Sequence, residues 1–257
     1  MFKSGPGGGI RVDEAGRAGQ AAAMAAPRLV VLTGAGVSAD SGVDTFRTKG
    51  GLWERYDVAE VATPEGYARD PALVHAFYDL RRAALPGVRP NAAHRALAAL
   101  EARLAAAGGV LTLVTQNVDD LHERAGSRDV LHIHGELAKA ECAACGAVHS
   151  WTGPLADGPP CPSCGEAALR PHVVWFGEMP RFLDEAEAAL SRADLFVSIG
   201  TSGSVYPAAG MVHAARGLGV RTAELNLEPS ENADSFDEGR YGRAAEIVPV
   251  WAEELSW

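Results

Sequence analysis

Basic residues are in deficit in this chain: 23 Lys and Arg stand against 33 Asp and Glu, a formal net charge of −10. That balance argues against non-specific nucleic-acid binding and against docking to an anionic membrane surface. No apolar run approaches the roughly 18–20 residues of a membrane span. The first residues carry one Lys followed by glycines and lack the apolar core of a secretory signal, so the cytoplasm is the expected compartment. Cysteine is scarce, with four in 257 residues, and a chain that is 47% hydrophobic has core enough without disulfide staples. Residues 1–26 are rich in Gly and Ala with little periodicity and are expected to form a disordered leader, ahead of a folded domain over 27–257.

All four cysteines fall in one segment. Cys142 and Cys145 form one C-x2-C pair, and Cys161 and Cys164 form another fifteen residues later. This is zinc-ribbon spacing, and four thiolates make a closed tetrahedral site with no open position for catalysis. Gly146 and Gly165 follow the pairs, where the chain must fold back around a metal. Two disulfides are the other reading, poorly suited to a reducing compartment. The intervening AVHSWTGPLADGPP lacks the basic stripe of a nucleic-acid-binding ribbon.

An apolar, β-branched run over 29–32 feeds directly into Gly34-Ala35-Gly36-Val37-Ser38-Ala39. This fits the G-x-G-x-x-G/A dinucleotide pattern, in which glycines allow a tight turn and close approach to a pyrophosphate. Further buried strands are expected over 111–115, 195–199 and 222–227, and helices over 72–84, 91–107, 183–191 and 208–216. The alternation predicts an α/β fold, a doubly wound parallel, Rossmann-like sheet with ligands at the carboxyl ends of its strands. A simple dinucleotide domain returns soon to a second strand; here the chain runs into polar, turn-rich sequence instead. A helical insertion over about 44–85 and a zinc-ribbon insertion over about 137–172 are expected.

The motifs GAGVSADSG, TFR, TQNVDDLHERAG, HGEL, the paired C-x2-C knuckles, VVWFGE, GTS and NLE occur in that order between residues 27 and 249. Together they resemble the sirtuin family of NAD-dependent protein-lysine deacylases, and within it the class that includes bacterial sirtuins and mitochondrial desuccinylases. The resemblance implies that NAD is consumed as a co-substrate. The acyl-lysine carbonyl oxygen attacks C1′ of the nicotinamide ribose, nicotinamide leaves, and the acyl group ends on the 2′-oxygen of ADP-ribose. It implies a base at His134, with Gln116, Asn117 and Arg47 completing the catalytic group. The cofactor set would comprise Gly34, Ala35, Gly36, Ser38, Ala39, Thr45, Phe46, Arg47, Trp53, Gln116, Asn117, Asp119, His134, Gly200, Thr201, Ser202, Asn226, Leu227, Glu228 and Ala244. Asn117 and Asp119 would serve equally as caps of the helix that follows. Many sirtuins read G-I-P-D-F-R where this chain reads Gly42-Val43-Asp44-Thr45-Phe46-Arg47; Thr45 stands at the acid's place and marks a subclass.

The resemblance also implies a substrate-binding strand over Val174, Trp175, Phe176, Gly177 and Glu178, where an acyl-lysine protein or peptide adds its backbone. Tyr78 and Arg81 lie at i and i+3, hence on one helix face. With Ala62 enlarging the pocket, they resemble the pair that holds a dicarboxylic acyl chain; an exposed Arg81 beside Arg82 is the plainer reading. Rival functions are an NAD-dependent dehydrogenase, a zinc-ribbon nucleic-acid module and protein mono-ADP-ribosylation at the same NAD site. No nucleic-acid or membrane partner is expected.

Overall fold

The computed structural model describes residues 26–44 and 51–256. The expected leader lies almost wholly outside the described residues, as do Thr45, Phe46 and Arg47. Six parallel strands form the main sheet: β1 (Arg28–Thr33), β2 (Val110–Thr115), β3 (Val130–His132), β7 (Leu195–Ile199), β8 (Arg221–Asn226) and β9 (Glu238–Tyr241). Their order is β3-β2-β1-β7-β8-β9. Chain order therefore reverses between β1 and β7, the switch point at which a doubly wound sheet opens a crevice.

Alternation along the strands builds two cores. Leu29, Val31, Leu113, Val197 and Leu225 face α5 (Ala92–Ala106) and α9 (Ala244–Glu254), meeting Leu97, Leu104, Val248 and Trp251. Val30, Leu32, Val114 and Phe196 point the other way, onto α7 (Leu183–Leu190) and α8 (Met211–Gly217). Both faces of the sheet are covered, so the strands read as continuous apolar runs. The expected strands and helices sit within a residue or two of their predicted places. The helix expected from residue 208 opens instead with a 3-10 turn, Ala208–Gly210. The edge strands β3 and β9 had no sequence signal, being three and four residues long.

Two insertions lie above the carboxyl ends of the strands. The first carries α2 (Val58–Val61), α3 (Pro64–Arg69) and α4 (Pro71–Ala84). Asp70 caps α4 by accepting from Leu73 N at 2.9 Å, and Pro71 fits its first turn. The second is an antiparallel sheet in the order β5-β4-β6, with β4 (Gly135–Cys142), β5 (Val148–Ser150) and β6 (Leu169–Val173). Its own core is small: Ala140, Leu155 and Leu169 with Cys142 and Cys161. Residues 174–178, expected as a strand, are not one. β6 ends at Val173, and a turn closed by Glu178 N donating to Trp175 O follows, with Gly177 at φ +93°. No helix among the described residues is long and apolar enough to cross a membrane.

Candidate active site

The crevice at the switch point is an open cleft of about 1380 Å³. That exceeds a typical single-ligand pocket of roughly 300–1,000 Å³ and gives room for two ligands side by side. Its floor is the loops after β1, β2, β7 and β8; its roof is α4 and the turn after β6.

The glycines after β1 answer first to the protein itself. Gly34 N donates to Ile199 O and Gly36 N to Gly200 O, each at 2.9 Å. A Cβ on Gly36 would stand 2.7 Å from Gly200 Cα, and one on Gly34 2.8 Å from Gly200 O. Gly200 itself adopts φ +64°. The three glycines let two loops touch backbone to backbone, a contact that the sequence pattern did not indicate. The helix that opens there, α1 (Gly36–Ala39), is a single turn, so a full helix dipole aimed at an anion is not part of this site.

His134 sits between β3 and β4, half-buried at the cleft wall. Its Nδ1 lies 3.0 Å from the Gln116 carbonyl oxygen. A carbonyl only accepts, so Nδ1 carries the proton and Nε2 keeps a free lone pair. Burial pushes the His134 pKa below its ordinary value, partly countered by that hydrogen bond. His132, two residues away, differs. Burial pulls its pKa down, but the Glu123 carboxylate at 2.6 Å outweighs burial and holds it above the ordinary value. His132 is a structural ion-pair partner of Glu123.

Behind His134 lies a buried polar network. Asn117 Nδ2 donates to Ser38 Oγ at 3.1 Å, and Ser38 Oγ donates to Asp119 Oδ2 at 3.0 Å. Asp119 Oδ1 also accepts from Leu121 N at 3.1 Å, the first residue of α6 (Leu121–Ala125), whose N-cap is Asp120; Asn117, the other expected cap, makes no such bond and turns to Ser38. Burial raises the Asp119 pKa, opposed by these hydrogen bonds. Sequence reasoning missed Thr33, Thr115, His94 and His122, which complete the network. Thr33 Oγ1 bonds Thr115 Oγ1 at 2.8 Å and His122 Nε2 at 3.0 Å, and His94 Nε2 lies 3.3 Å from Ser38 Oγ. One signal was available: His94 stands three residues after Asn91, and its Nδ1 accepts from Asn91 N in a capping box.

On the β7–β8 side, Asn226 Nδ2 donates to Thr201 O at 2.7 Å, and Glu231 N donates to Ser202 O at 3.0 Å. Gly200, Thr201, Ser202, Asn226, Leu227 and Glu228 thus line one wall, joined by Ala35, Ala39 and Ala244. Asp40 and Arg243, a pair the sequence did not suggest, tie α9 to the glycine turn at 2.6 Å.

Tyr78, Arg81, Ala62 and Trp53 meet at the far end of the same cleft. The Arg81 guanidinium lies 5.0 Å from the centroid of the Trp53 ring and 5.7 Å from that of Tyr78. Among the described residues no carboxylate or carbonyl hydrogen-bonds it. Desolvation lowers the Arg81 pKa, with Tyr78, Asp119 and Asp44 acting against it. Arg81 is half-buried and its neighbour Arg82 is buried, so neither is an exposed helix arginine. Phe176 N donates to Ala62 O at 2.9 Å, fixing the turn after β6 to the roof of the pocket. Trp175 lines the cleft and turns its buried indole to Tyr78.

The four cysteine sulfurs lie within 4.8 Å of one another. Cys142 and Cys164 are 3.7 Å apart, and Cys145 and Cys161 3.9 Å. Disulfides need about 2.05 Å, whereas four Zn–S bonds of about 2.3 Å in a tetrahedron put sulfurs about 3.8 Å apart. The knuckles match: Gly146 N donates to Cys142 O and Gly165 N to Cys161 O, both at 2.8 Å. The group fits a structural zinc ion and closes the disulfide alternative.

A doubly wound sheet with its cleft at the switch point, a roofing helical insertion and a four-cysteine ribbon define a nucleotide-type α/β enzyme with a zinc module. More narrowly, the chain belongs to the Sir2 family, whose model matches residues 34–207. It is 62% identical over 229 residues to an NAD-dependent protein deacylase of Caulobacter vibrioides, covering 89% of this chain and 96% of that protein. It is 56% identical over 236 residues to an NAD-dependent protein deacylase of Escherichia coli strain K12, covering 91% and 84%. A Sir2 homologue crystallised as an NAD complex is similar with a TM-score of 0.80 and 41% identity, covering 88% of each chain. A Sir2 protein bound to acetylated peptide is similar with a TM-score of 0.75 and 28% identity, covering 88% and 92%.

Proposed function

We propose that this protein is an NAD-dependent protein-lysine deacylase acting as a cytoplasmic enzyme on acyl-lysine proteins, and not a nucleic-acid-binding ribbon. The observation that carries the reading is His134, held with its lone pair free on a cleft large enough for two ligands, in a chain of the Sir2 family. Relatives named as deacylases and neighbours solved with NAD or acetylated peptide support it.

In this reading NAD lies along the wall formed by the glycine turn and the loops after β7 and β8, with Phe46 and Arg47 assigned to its ribose and phosphates. The acyl-lysine enters beneath α4. The substrate carbonyl oxygen displaces nicotinamide at C1′, and the acyl group then passes to the 2′-oxygen, leaving free lysine after hydrolysis. His134 Nε2 takes the ribose hydroxyl proton that this transfer releases, and the Gln116 carbonyl stabilises the resulting cation through Nδ1. Asn117 and Asp119, locked through Ser38, orient the ribose end.

The finer reading is that the acyl pocket prefers dicarboxylic chains. Arg81 has no carboxylate hydrogen-bonded to it among the described residues, and an acyl carboxylate would supply one. Acetyl-, succinyl- and malonyl-lysine peptides with NAD, followed by mass spectrometry, test both levels. Expected products are nicotinamide, free-lysine peptide and 2′-O-acyl-ADP-ribose. Reduced NAD absorbing at 340 nm, or ADP-ribose left on protein, would overturn the reaction class. Arg81→Met is expected to raise KM for succinyl-lysine by roughly 30-fold or more, the scale of losing one partner of a desolvated pair. Losses equal on acetyl-lysine would refute the acyl preference.

A further inference from the structure

We propose that Trp175 is a positioning residue for acyl selectivity, which it exerts by setting the direction of the Tyr78 hydroxyl proton. The inference rests on the reading that Tyr78 and Arg81 receive a carboxylate-bearing acyl group.

An indole N–H only donates, and a phenol oxygen both donates and accepts. Trp175 Nε1 lies 3.0 Å from Tyr78 Oη. The Tyr78 oxygen must therefore accept in this bond, and its own proton points elsewhere. Among the described residues no acceptor takes that proton. Tyr78 is 1% exposed and Trp175 3% exposed, so bulk water does not readily serve as the alternative partner. Burial raises the Tyr78 pKa, which keeps the proton on the phenol at neutral pH. Tyr78 lines the cleft next to Arg81, and an acyl carboxylate that reaches its hydroxyl from there would satisfy both groups. An acetyl group carries no terminal acceptor and gains nothing from the arrangement.

The indole is itself held in place. The Arg170 guanidinium lies 3.6 Å from the centroid of its ring. Arg170 forms a two-pronged pair with Glu178 at 2.7 and 3.0 Å, and Glu178 Oε2 accepts from Trp175 N at 2.8 Å. Tyr67 packs against the ring at 5.0 Å. Arg170, Glu178 and Trp175 thus form a closed bracket that aims the indole N–H at Tyr78.

The test is a double-mutant cycle on the full-length, zinc-loaded protein with succinyl-lysine and acetyl-lysine peptides. Trp175→Phe keeps a ring under Arg170 and removes the N–H. It is expected to raise the ratio of succinyl to acetyl KM by about 3–10-fold, the worth of one directed hydrogen bond. Tyr78→Phe is expected to do the same, and the double variant to match Tyr78→Phe alone. Should Trp175→Phe fold poorly by circular dichroism, benzothienylalanine at position 175 keeps the bicyclic shape without the donor. An unchanged ratio in the Trp175 variant, or an effect that persists undiminished in the Tyr78→Phe background, overturns the inference. If Arg81→Met and Tyr78→Phe also leave the ratio unchanged, the carboxylate-pocket reading falls and takes this inference with it.

Discussion

A base must be unprotonated when it acts, and the surroundings of His134 favour that state. Burial lowers its pKa below 6.5, so the imidazole stays neutral as pH falls to and somewhat below that value. The acid limb of kcat against pH is therefore expected below pH 6.5. His134→Ala is expected to lower kcat by about 10²–10⁴-fold while retaining zinc and the circular dichroism of the native protein. A variant within a few fold of wild type, or a wild-type limb well above pH 6.5, would remove His134 from the role. His132, by contrast, is committed to Glu123 and its loss should read out chiefly as lost stability.

At the scale of the element, α4 is a two-sided device. Tyr78 and Arg81 share the face toward the cleft, while Asp79 and Arg82, one step around the helix, share the face toward the zinc module. Asp79 accepts from Leu155 N at 2.8 Å and Ala156 N at 3.0 Å and pairs with Arg82, whose Nε donates to Leu137 O at 2.9 Å. Asp79→Ala strands a buried guanidinium and two backbone donors and is expected to cost about 3 kcal/mol in chemical denaturation. A cost under ~0.5 kcal/mol would mean the helix is held by its apolar face alone. The ribbon that Asp79 grips has too few apolar residues to stand without its metal. Stripping zinc with a strong chelator should lower the melting temperature and abolish deacylation, and one equivalent of zinc should restore both. Full activity in metal-free protein would refute a structural role for the four thiolates.

At the scale of the molecule, the histidines make stability depend on pH. Desolvation lowers the pKa of His94 to about 4 and that of His122 well below 6.5. Burial also lowers His75 and His172, while Glu123 raises His132 against burial. A group depressed in the folded state stabilises above its unfolded pKa and loses that contribution as pH falls. His132 has the opposite sign, stabilising below 6.5 and losing its contribution as pH rises through its folded value. The depressed groups outnumber it, and each costs about 1.4 kcal/mol per pH unit once the unfolded chain is protonated. Urea unfolding should show stability falling by about 2–4 kcal/mol from pH 7 to pH 5. Stability that is flat or rising over that interval would contradict the neutral, buried state of His94 and His122.

Local chemistry is legible in a linear chain, and several features of this protein are local. Apolar runs at β1, β2, β7 and β8 needed only burial on both faces to be read as parallel strands. The cysteine spacing needed only the reach of two knuckles around one ion, and the motif order from GAGVSADSG to NLE was enough to point to the family. What the sequence left undecided depends on distant partners. Strands β3 and β9 are too short to carry an apolar pattern and exist because a neighbouring strand offers its edge. Gly34 and Gly36 look like phosphate-loop glycines, yet the atoms that exclude a Cβ belong to Gly200 on another strand. Tyr78 finds its donor 97 residues away in Trp175, and Asp40 its guanidinium 203 residues away in Arg243. The long strands and helices follow from side-chain size and polarity along the chain; the short edge strands, and the direction of a proton in the acyl pocket, follow from which surfaces the topology presses together.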